Sequence, residues 1–386
     1  MRKKVICLEN MPYQSPIRVG SHHYADHFSR MYDVLWISLP WHIFQRFRKA
    51  GNNRYAFYNH GRPMAINEHL KALVPFTMVP YRRGLPFDSG FIVDNYYRFM
   101  IPRIAGILKE HGFQEAELVW MSDPRHISLL PQVRFRRLAY RCVDNLEHFS
   151  DVPGSLASRE IKLVRRADWV FCTSRGLVEK FKRHNERCSC LPNGVDYDFF
   201  ASPAPCDLPE SIERALSPQR ELNVAYMGAV AEWFDFESLE QLASAMPRHR
   251  FIIVGPHRVR PPASLRATVN VVLPGPVRYE LLPTLLSRCA VGLIPFKVNE
   301  ITDFVSPIKL WEYLAAGLEV VASSMKTTRD LGSPAHLYGR DGIVGAFQQA
   351  LAAQADPLRR TVLQEHARGN SWSWRFGEIL KQLGLP

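Results

Sequence analysis

The sequence predicts an α/β protein of two parallel-sheet domains facing across a cleft, and three observations lead there. Short apolar or β-branched runs alternate with helical stretches along the chain. The alternation occurs in two series, and a Pro-rich stretch of weak periodicity from Ser202 to Pro218 opens the second half. The 386 residues, 46% hydrophobic and 22% charged, suffice for two globular domains of roughly 150–200 residues each and argue against disorder.

Lys4–Leu8 is the first strand, because Val5, Ile6, Cys7 and Leu8 form an apolar run too short for a signal peptide. Val34–Ser38, Leu118–Trp120, Leu138–Cys142 and Trp169–Thr173 follow as short apolar runs of buried-strand length. The boundary falls near Leu191-Pro192-Asn193-Gly194, where Pro and Gly interrupt the pattern. Asn223–Met227, Arg250–Val254, Val271–Leu273, Val291–Pro295 and Glu319–Ala322 make the second series, with helical patterns at Asp235–Ala245 and Tyr279–Arg288. The tail from Ser371 reads as an amphipathic helix. Two Rossmann-like domains are therefore expected at 1–190 and 191–370, with 371–386 packing back on the first.

The net charge of +12 is unevenly placed. Residues 1–190 hold 30 Lys and Arg against 17 Asp and Glu, whereas residues 191–386 hold 19 against 20. A one-sided basic surface suits a polyanionic partner, such as an anionic membrane or a pyrophosphate-linked acceptor. Two basic aromatic stretches, Trp41 to Lys49 and Arg134 to Arg137, could rest on such a membrane. No RNA-binding motif occurs, so no nucleic-acid partner is expected. The seven cysteines show neither a zinc spacing nor a disulfide framework, which suits a reducing compartment. No run reaches the roughly 18 apolar residues of a spanning helix. The expectation is a cytoplasmic protein able to lie on the inner face of the plasma membrane.

The most informative segment runs from Ile301 to Leu318. Ser306 reads as a helix N-cap, Pro307 as the first helical residue and Gly317 as the C-terminal stop. The helix follows the strand Val291–Pro295, so its free N–H groups lie at the carboxyl edge of a parallel sheet, a ready place for a diphosphate. Lys309 adds a charge there, and Glu312, three residues on, can accept two ribose hydroxyls. Taken alone, a capped helix with a surface Lys–Glu pair would look the same. The surroundings favour the binding reading. The strand Asn223–Met227 ends in Gly228, where backbone can approach a phosphate. The strand and loop from Asn270 through Leu282, with Val277 and Tyr279, could close over a base.

In order and spacing, Ala167-Asp168 to Ser174, then Leu191-Pro-Asn-Gly-Val-Asp196, then Ser306-Pro-x-Lys-x-x-Glu-Tyr resemble the bacterial family 4 type glycosyltransferases of the GT-B fold. Tyr140-Arg-Cys-Val-Asp144 resembles the strand-end segment of xanthan-type glucuronosyltransferases. The resemblance implies sugar transfer from a nucleoside diphosphate sugar to a glycan or polyprenyl-linked acceptor, in cell-surface or exopolysaccharide synthesis. It implies Asp144 as catalytic base and Ser306 and Lys309 as diphosphate contacts, and it sets Phe296 beside the nucleotide. It also implies a reaction without metal or cofactor, and no Asp-x-Asp metal signature occurs. The sequence departs from the family 4 pattern at Phe304, where an acid is usual and Asp303 is the nearest one. Inversion or retention is thus left open.

The expected donor site comprises Gly228, Val277, Phe296, Asp303, Ser306, Pro307, Lys309 and Glu312. Gly20, His22 and His23, just after the first strand, are expected on the acceptor or sugar side. His126 and His148 are weaker alternatives, while Asp168 and Asp196 read as structural. Two other readings exist: a GT-B-like epimerase or phosphorylase, separable by acceptor-dependent release of nucleoside diphosphate, and a non-catalytic basic membrane-binding module.

Overall fold

A computed structural model describes residues 2–15, 18–42, 61–80, 87, 89–146, 155–340 and 342–386. Residues 43–49 of the first basic aromatic stretch, and His148, lie outside the described residues. The chain forms two units, Met1–Pro192 with Phe376–Pro386, and Asn193–Arg375.

The first unit is built on an eight-stranded sheet of order β11-β10-β9-β8-β1-β2-β5-β4. Its strands are β1 (Lys4–Glu9), β2 (Asp33–Ser38), β4 (Met64–Ala65), β5 (Leu70–Leu73), β8 (Glu115–Met121), β9 (Arg134–Cys142), β10 (Trp169–Cys172) and β11 (Cys188–Cys190). All pair in parallel except β4 with β5. β3 (Trp41–His42), β6 (Phe76–Thr77) and β7 (Met100–Ile101) form a separate small sheet. β1 is buried on both faces from Val5 on, which is why it reads as a continuous apolar run. Sequence order reverses at β1, which pairs with β2 on one side and β8 on the other. The carboxyl ends of β1 and β8 therefore mark a topological switch point.

Helix α1 (Gly20–Met31) follows β1. α2 (Ser155–Arg166) packs on β9, and α3 (Arg175–Lys182), capped by Ser174, packs on β10. The chain end returns to this unit: Phe376 stacks on His27 at 5.1 Å, and Arg137 donates to the Gly384 carbonyl at 3.3 Å. The Arg134 to Arg137 stretch lies in the amino-terminal half of β9, where Glu115 pairs with Arg134 and Glu117 with Arg136 and Arg137. Glu117 also meets Lys3, so two carboxylates face four cations here, and Arg134 and Arg136 stay largely exposed.

The second unit has a fully parallel six-stranded sheet, order β14-β13-β12-β15-β16-β17. Its strands are β12 (Asn223–Met227), β13 (Arg250–Val254), β14 (Val271–Gly275), β15 (Val291–Ile294), β16 (Glu319–Ser323) and β17 (His336–Tyr338). The order reverses between β12 and β15, giving a second switch point. α4 (Phe236–Ala245) begins at the Asp235 cap. α5 (Ile308–Ala315) and α6 (Lys326–Asp330) follow, and α7 (Trp372–Leu383) starts in this unit and passes into the first at Phe376. Among the described residues no helix is long and apolar enough to cross a membrane.

Candidate functional site

The second unit's switch point is where the residues singled out in the sequence meet. β12 ends at Met227, and Gly228 turns the chain with φ 132°. Gly228 donates to the Val254 carbonyl at 2.9 Å, and Gly255, with φ 144°, lies directly against it. This close packing of two backbones leaves no room for a side chain at 255. β15 leads into Phe296, whose N–H donates to Ser323 Oγ at 3.2 Å. Between these strand ends sits the Lys309 ammonium, 4.5 Å from the Phe296 ring centre and 5.0 Å from that of Tyr226. A Cβ on residue 228 would stand 3.1 Å from Lys309 Nζ, so the missing side chain is what lets the ammonium reach the loop.

Burial lowers the Lys309 pKa to about 8, against the opposing pull of Glu312. Burial likewise raises Glu312 to about 7, against Lys309 and a 3.3 Å hydrogen bond from the Tyr279 hydroxyl. Tyr279 in turn stacks on Phe199, with centres 5.2 Å apart and planes 9° from parallel. The site thus offers a cation at an uncapped helix N-terminus and, one turn on, a carboxylate braced by a phenol. That arrangement can hold a diphosphate at one end and a pair of hydroxyls at the other.

Several expectations need correction. Pro307, with an extended backbone (φ −74°, ψ 111°), is itself the N-cap, and the helix starts at Ile308. Ser306 does not cap the helix. Its hydroxyl accepts from the Asn193 N–H at 3.2 Å, and its carbonyl from Asn193 Nδ2 at 2.7 Å, so Ser306 ties the loop to the Pro-Asn-Gly segment. Its hydroxyl hydrogen remains available to an anion. Asp303 is engaged elsewhere: Oδ1 accepts the Lys326 N–H at 2.7 Å and so caps α6. Val277 is half-buried against the core, on the loop after Gly275. Sequence reasoning placed Tyr279 only within the loop expected to close over a base and did not assign Phe199, Tyr226 or Asn193 to the site; the folded topology brings them to Lys309, Glu312 and Ser306.

In the first unit, Gly20 opens α1, but His22 does not face a ligand. Its ring is 0% exposed; Nδ1 accepts from the Val19 N–H at 3.1 Å, so Nε2 carries the hydrogen it donates to the Tyr13 carbonyl, also 3.1 Å. Burial, with Arg18 nearby, lowers its pKa to about 4, and His22 is a neutral structural ring. His23 is half-buried, with a pKa lowered by burial to about 3. His126 is buried between the Glu9 carbonyl and the Tyr97 hydroxyl. Asp168 accepts the Leu138 N–H at 2.7 Å and is structural.

Asp144 lies half-buried just past β9. Burial raises its pKa, and Arg141 opposes the shift. Thr173 Oγ1 donates to the Val143 carbonyl at 2.7 Å, and Cys142 Sγ to the Asp144 carbonyl at 3.4 Å. At the first unit's own switch point lies Glu9, a carboxyl that no motif singles out. It is 2% exposed and accepts from Ser122 Oγ at 2.9 Å. Among the described residues no group of three His, Cys, Asp or Glu side chains is placed to hold a metal ion.

Residues 222–358 match the glycosyl transferases group 1 family. The Bacillus subtilis (strain 168) protein TuaH, itself only provisionally named a teichuronic acid biosynthesis glycosyltransferase, is 25% identical over 243 residues. The alignment spans 60% of this chain and 60% of that protein's length. Among solved structures, Anabaena HepE in complex with UDP and glucose superposes with a TM-score of 0.66 at 15% identity, covering 99% of this chain and all of that one. An E. coli trehalose-6-phosphate structure bound with UDP-2-fluoro glucose gives 0.68 at 13% identity, and sucrose-phosphate synthase from Thermosynechococcus elongatus 0.65 at 14%, each covering 99% of both chains. These likenesses establish the fold as GT-B.

Proposed function

We propose that this chain, a GT-B protein with a group 1 glycosyl transferase domain at residues 222–358, moves a sugar from a nucleoside diphosphate sugar to a hydroxyl of a glycan or polyprenyl-linked acceptor. The observation that carries the reading is the Lys309 ammonium at the open N-terminus of α5, with Glu312 one turn further along. The diphosphate takes Lys309 and the first-turn N–H groups, and the ribose hydroxyls take Glu312 and Tyr279. Phe296 flanks the cation. Lys309 and the helix end neutralise the leaving diphosphate, so the reaction proceeds without metal. UDP is the favoured nucleotide, because UDP or a UDP-sugar analogue occupies the HepE and E. coli structures. The teichuronic acid relative supports a role in cell-surface polysaccharide synthesis. Asp144, in the first unit, receives the acceptor proton in an inverting transfer.

Titration calorimetry with UDP-glucose, UDP-glucuronic acid and GDP-mannose tests the donor site and the sugar class together. Lys309→Ala should weaken the preferred donor by roughly 1.5–3 kcal/mol, about 10- to 100-fold. Wild-type affinity should itself fall as pH rises through about 8, because the bound diphosphate requires the charged ammonium. Undiminished binding of every donor by Lys309→Ala would remove the ammonium from the site.

A further inference from the structure

The loop that carries Asp144 is held by more than its backbone. Lys180, on α3, donates from Nζ to Asn145 Oδ1 at 2.7 Å. The same ammonium lies 3.8 Å from Glu160 Oε2 on α2, with the two side chains 14% and 1% exposed. The other oxygen of Glu160 accepts from the Tyr140 hydroxyl at 2.5 Å, and Tyr140 stands on β9 two residues before Cys142. A buried carboxylate thus anchors an ammonium, and the ammonium grips the residue next to Asp144.

The chemistry of the grip is directional. An ammonium only donates, so it selects the amide oxygen of Asn145 and turns the NH₂ end away from α3. Charge-assisted hydrogen bonds of this kind are shorter and about twice as strong as neutral ones. Two other ties reach the same loop, from Thr173 to the Val143 carbonyl and from Cys142 to the Asp144 carbonyl. Both act on the backbone, and neither fixes the Asn145 side chain. Lys180 and Glu160 belong to the first unit, and the residues of the proposed donor site to the second.

We propose that Lys180, anchored by Glu160, is a positioning residue that acts through the Asn145 amide to set the attitude of Asp144 for proton transfer. The proposal rests on Asp144 as the proton acceptor, and its test separates the two. General-base catalysis contributes about 10²–10⁴-fold, and a misplacement of about 1 Å can cost about 10²-fold, so loss of the grip should approach loss of the base.

The experiment follows UDP release from the preferred nucleotide sugar with water as the attacking hydroxyl, in wild type, Asp144→Asn, Asn145→Ala, Lys180→Met, Lys180→Arg and the Asn145→Ala/Lys180→Met pair. Lys180→Met should lower kcat by ~10- to 100-fold with the donor KM unchanged. Asn145→Ala should reproduce that loss, and the pair should lose no more than either alone, because both break one link. Lys180→Arg should restore part of kcat. Lys180→Met strands the Glu160 carboxylate and could unfold the unit. Lys180→Met in a Glu160→Gln background, compared with Glu160→Gln alone, removes that burden and must show the same kcat loss. Wild-type kcat in Lys180→Met, or additive losses in the pair, overturns the positioning role when Asp144→Asn has lost its turnover. Undiminished turnover in Asp144→Asn overturns the base on which the role depends.

Discussion

Glu9 ends the central strand of the first unit with its carboxyl shut away from water. Burial raises its pKa to about 7; hydrogen bonds from Ser21 and Ser122 and the charge of Arg141 pull the other way. Because the folded value stands above the unfolded one, this group favours folding fully below about pH 4.5, and the benefit is lost as pH rises through about 7. Glu9→Gln, which mimics the protonated form, should match wild type at pH 4 and exceed it at pH 8 by up to about 3 kcal/mol. Urea unfolding at the two pH values measures the difference, and a Glu9→Gln variant less stable at pH 8 would show a carboxylate held by its neighbours. At this scale Lys309 and Glu312 were legible, because their spacing after Ser306-Pro307 is local. Glu9 was not, since nothing in Leu8-Glu9-Asn10 shows that β8 will pack alongside and seal it. His22 misled for the same reason: its two hydrogen bonds are made inside the fold.

The proposed donor site lies at the ends of β12 and β15, the turn after β13 packs against the first of these, and the glycines there are not equivalent to Gly275. A Cβ on residue 255 would lie 1.8 Å from the Gly228 carbonyl oxygen, a clash of backbone with no flexible end to yield. A Cβ on residue 275 meets nothing within 4 Å, so only its φ of 86° opposes a side chain. Gly255→Ala should therefore destabilise the second unit by about 3 kcal/mol or more and abolish donor binding, while Gly275→Ala costs about 1 kcal/mol. Urea unfolding and UDP calorimetry on both variants decide it, and equal losses would sink the steric reading. The long buried strands of this sheet were plain in the sequence as apolar runs. β17, three residues at the sheet edge, and β11, Cys188–Cys190, lacked such a run. Pro307 misled by one residue, because Pro suits both the cap and the first turn.

Over the whole molecule the charge split of 30 against 17 and 19 against 20 gives one further expectation. The protein should sediment with anionic vesicles and be released by salt, at about 1 kcal/mol per basic side chain near the surface. Glu115 and Glu117 offset only part of the charge of Lys3, Arg134, Arg136 and Arg137, so changing the exposed Arg134 and Arg136 to Ala should weaken sedimentation. Equal sedimentation with neutral vesicles at low salt would assign the excess charge another purpose. The two-unit division was legible from the doubled alternation and the Pro-Asn-Gly punctuation; the tail was expected to cross back to the first domain from residue 371, and the crossing comes at Phe376. That crossing has a consequence for synthesis. Phe376–Pro386 belongs to the first unit, yet it leaves the ribosome after all of Asn193–Arg375. At about 5–20 residues per second, the first unit waits roughly 10–40 s, while the second is made, with the surface around His27 and Phe28 uncovered. The part made first is finished last, and until then its nascent form leaves the apolar ring of Phe28 without its Phe376 partner.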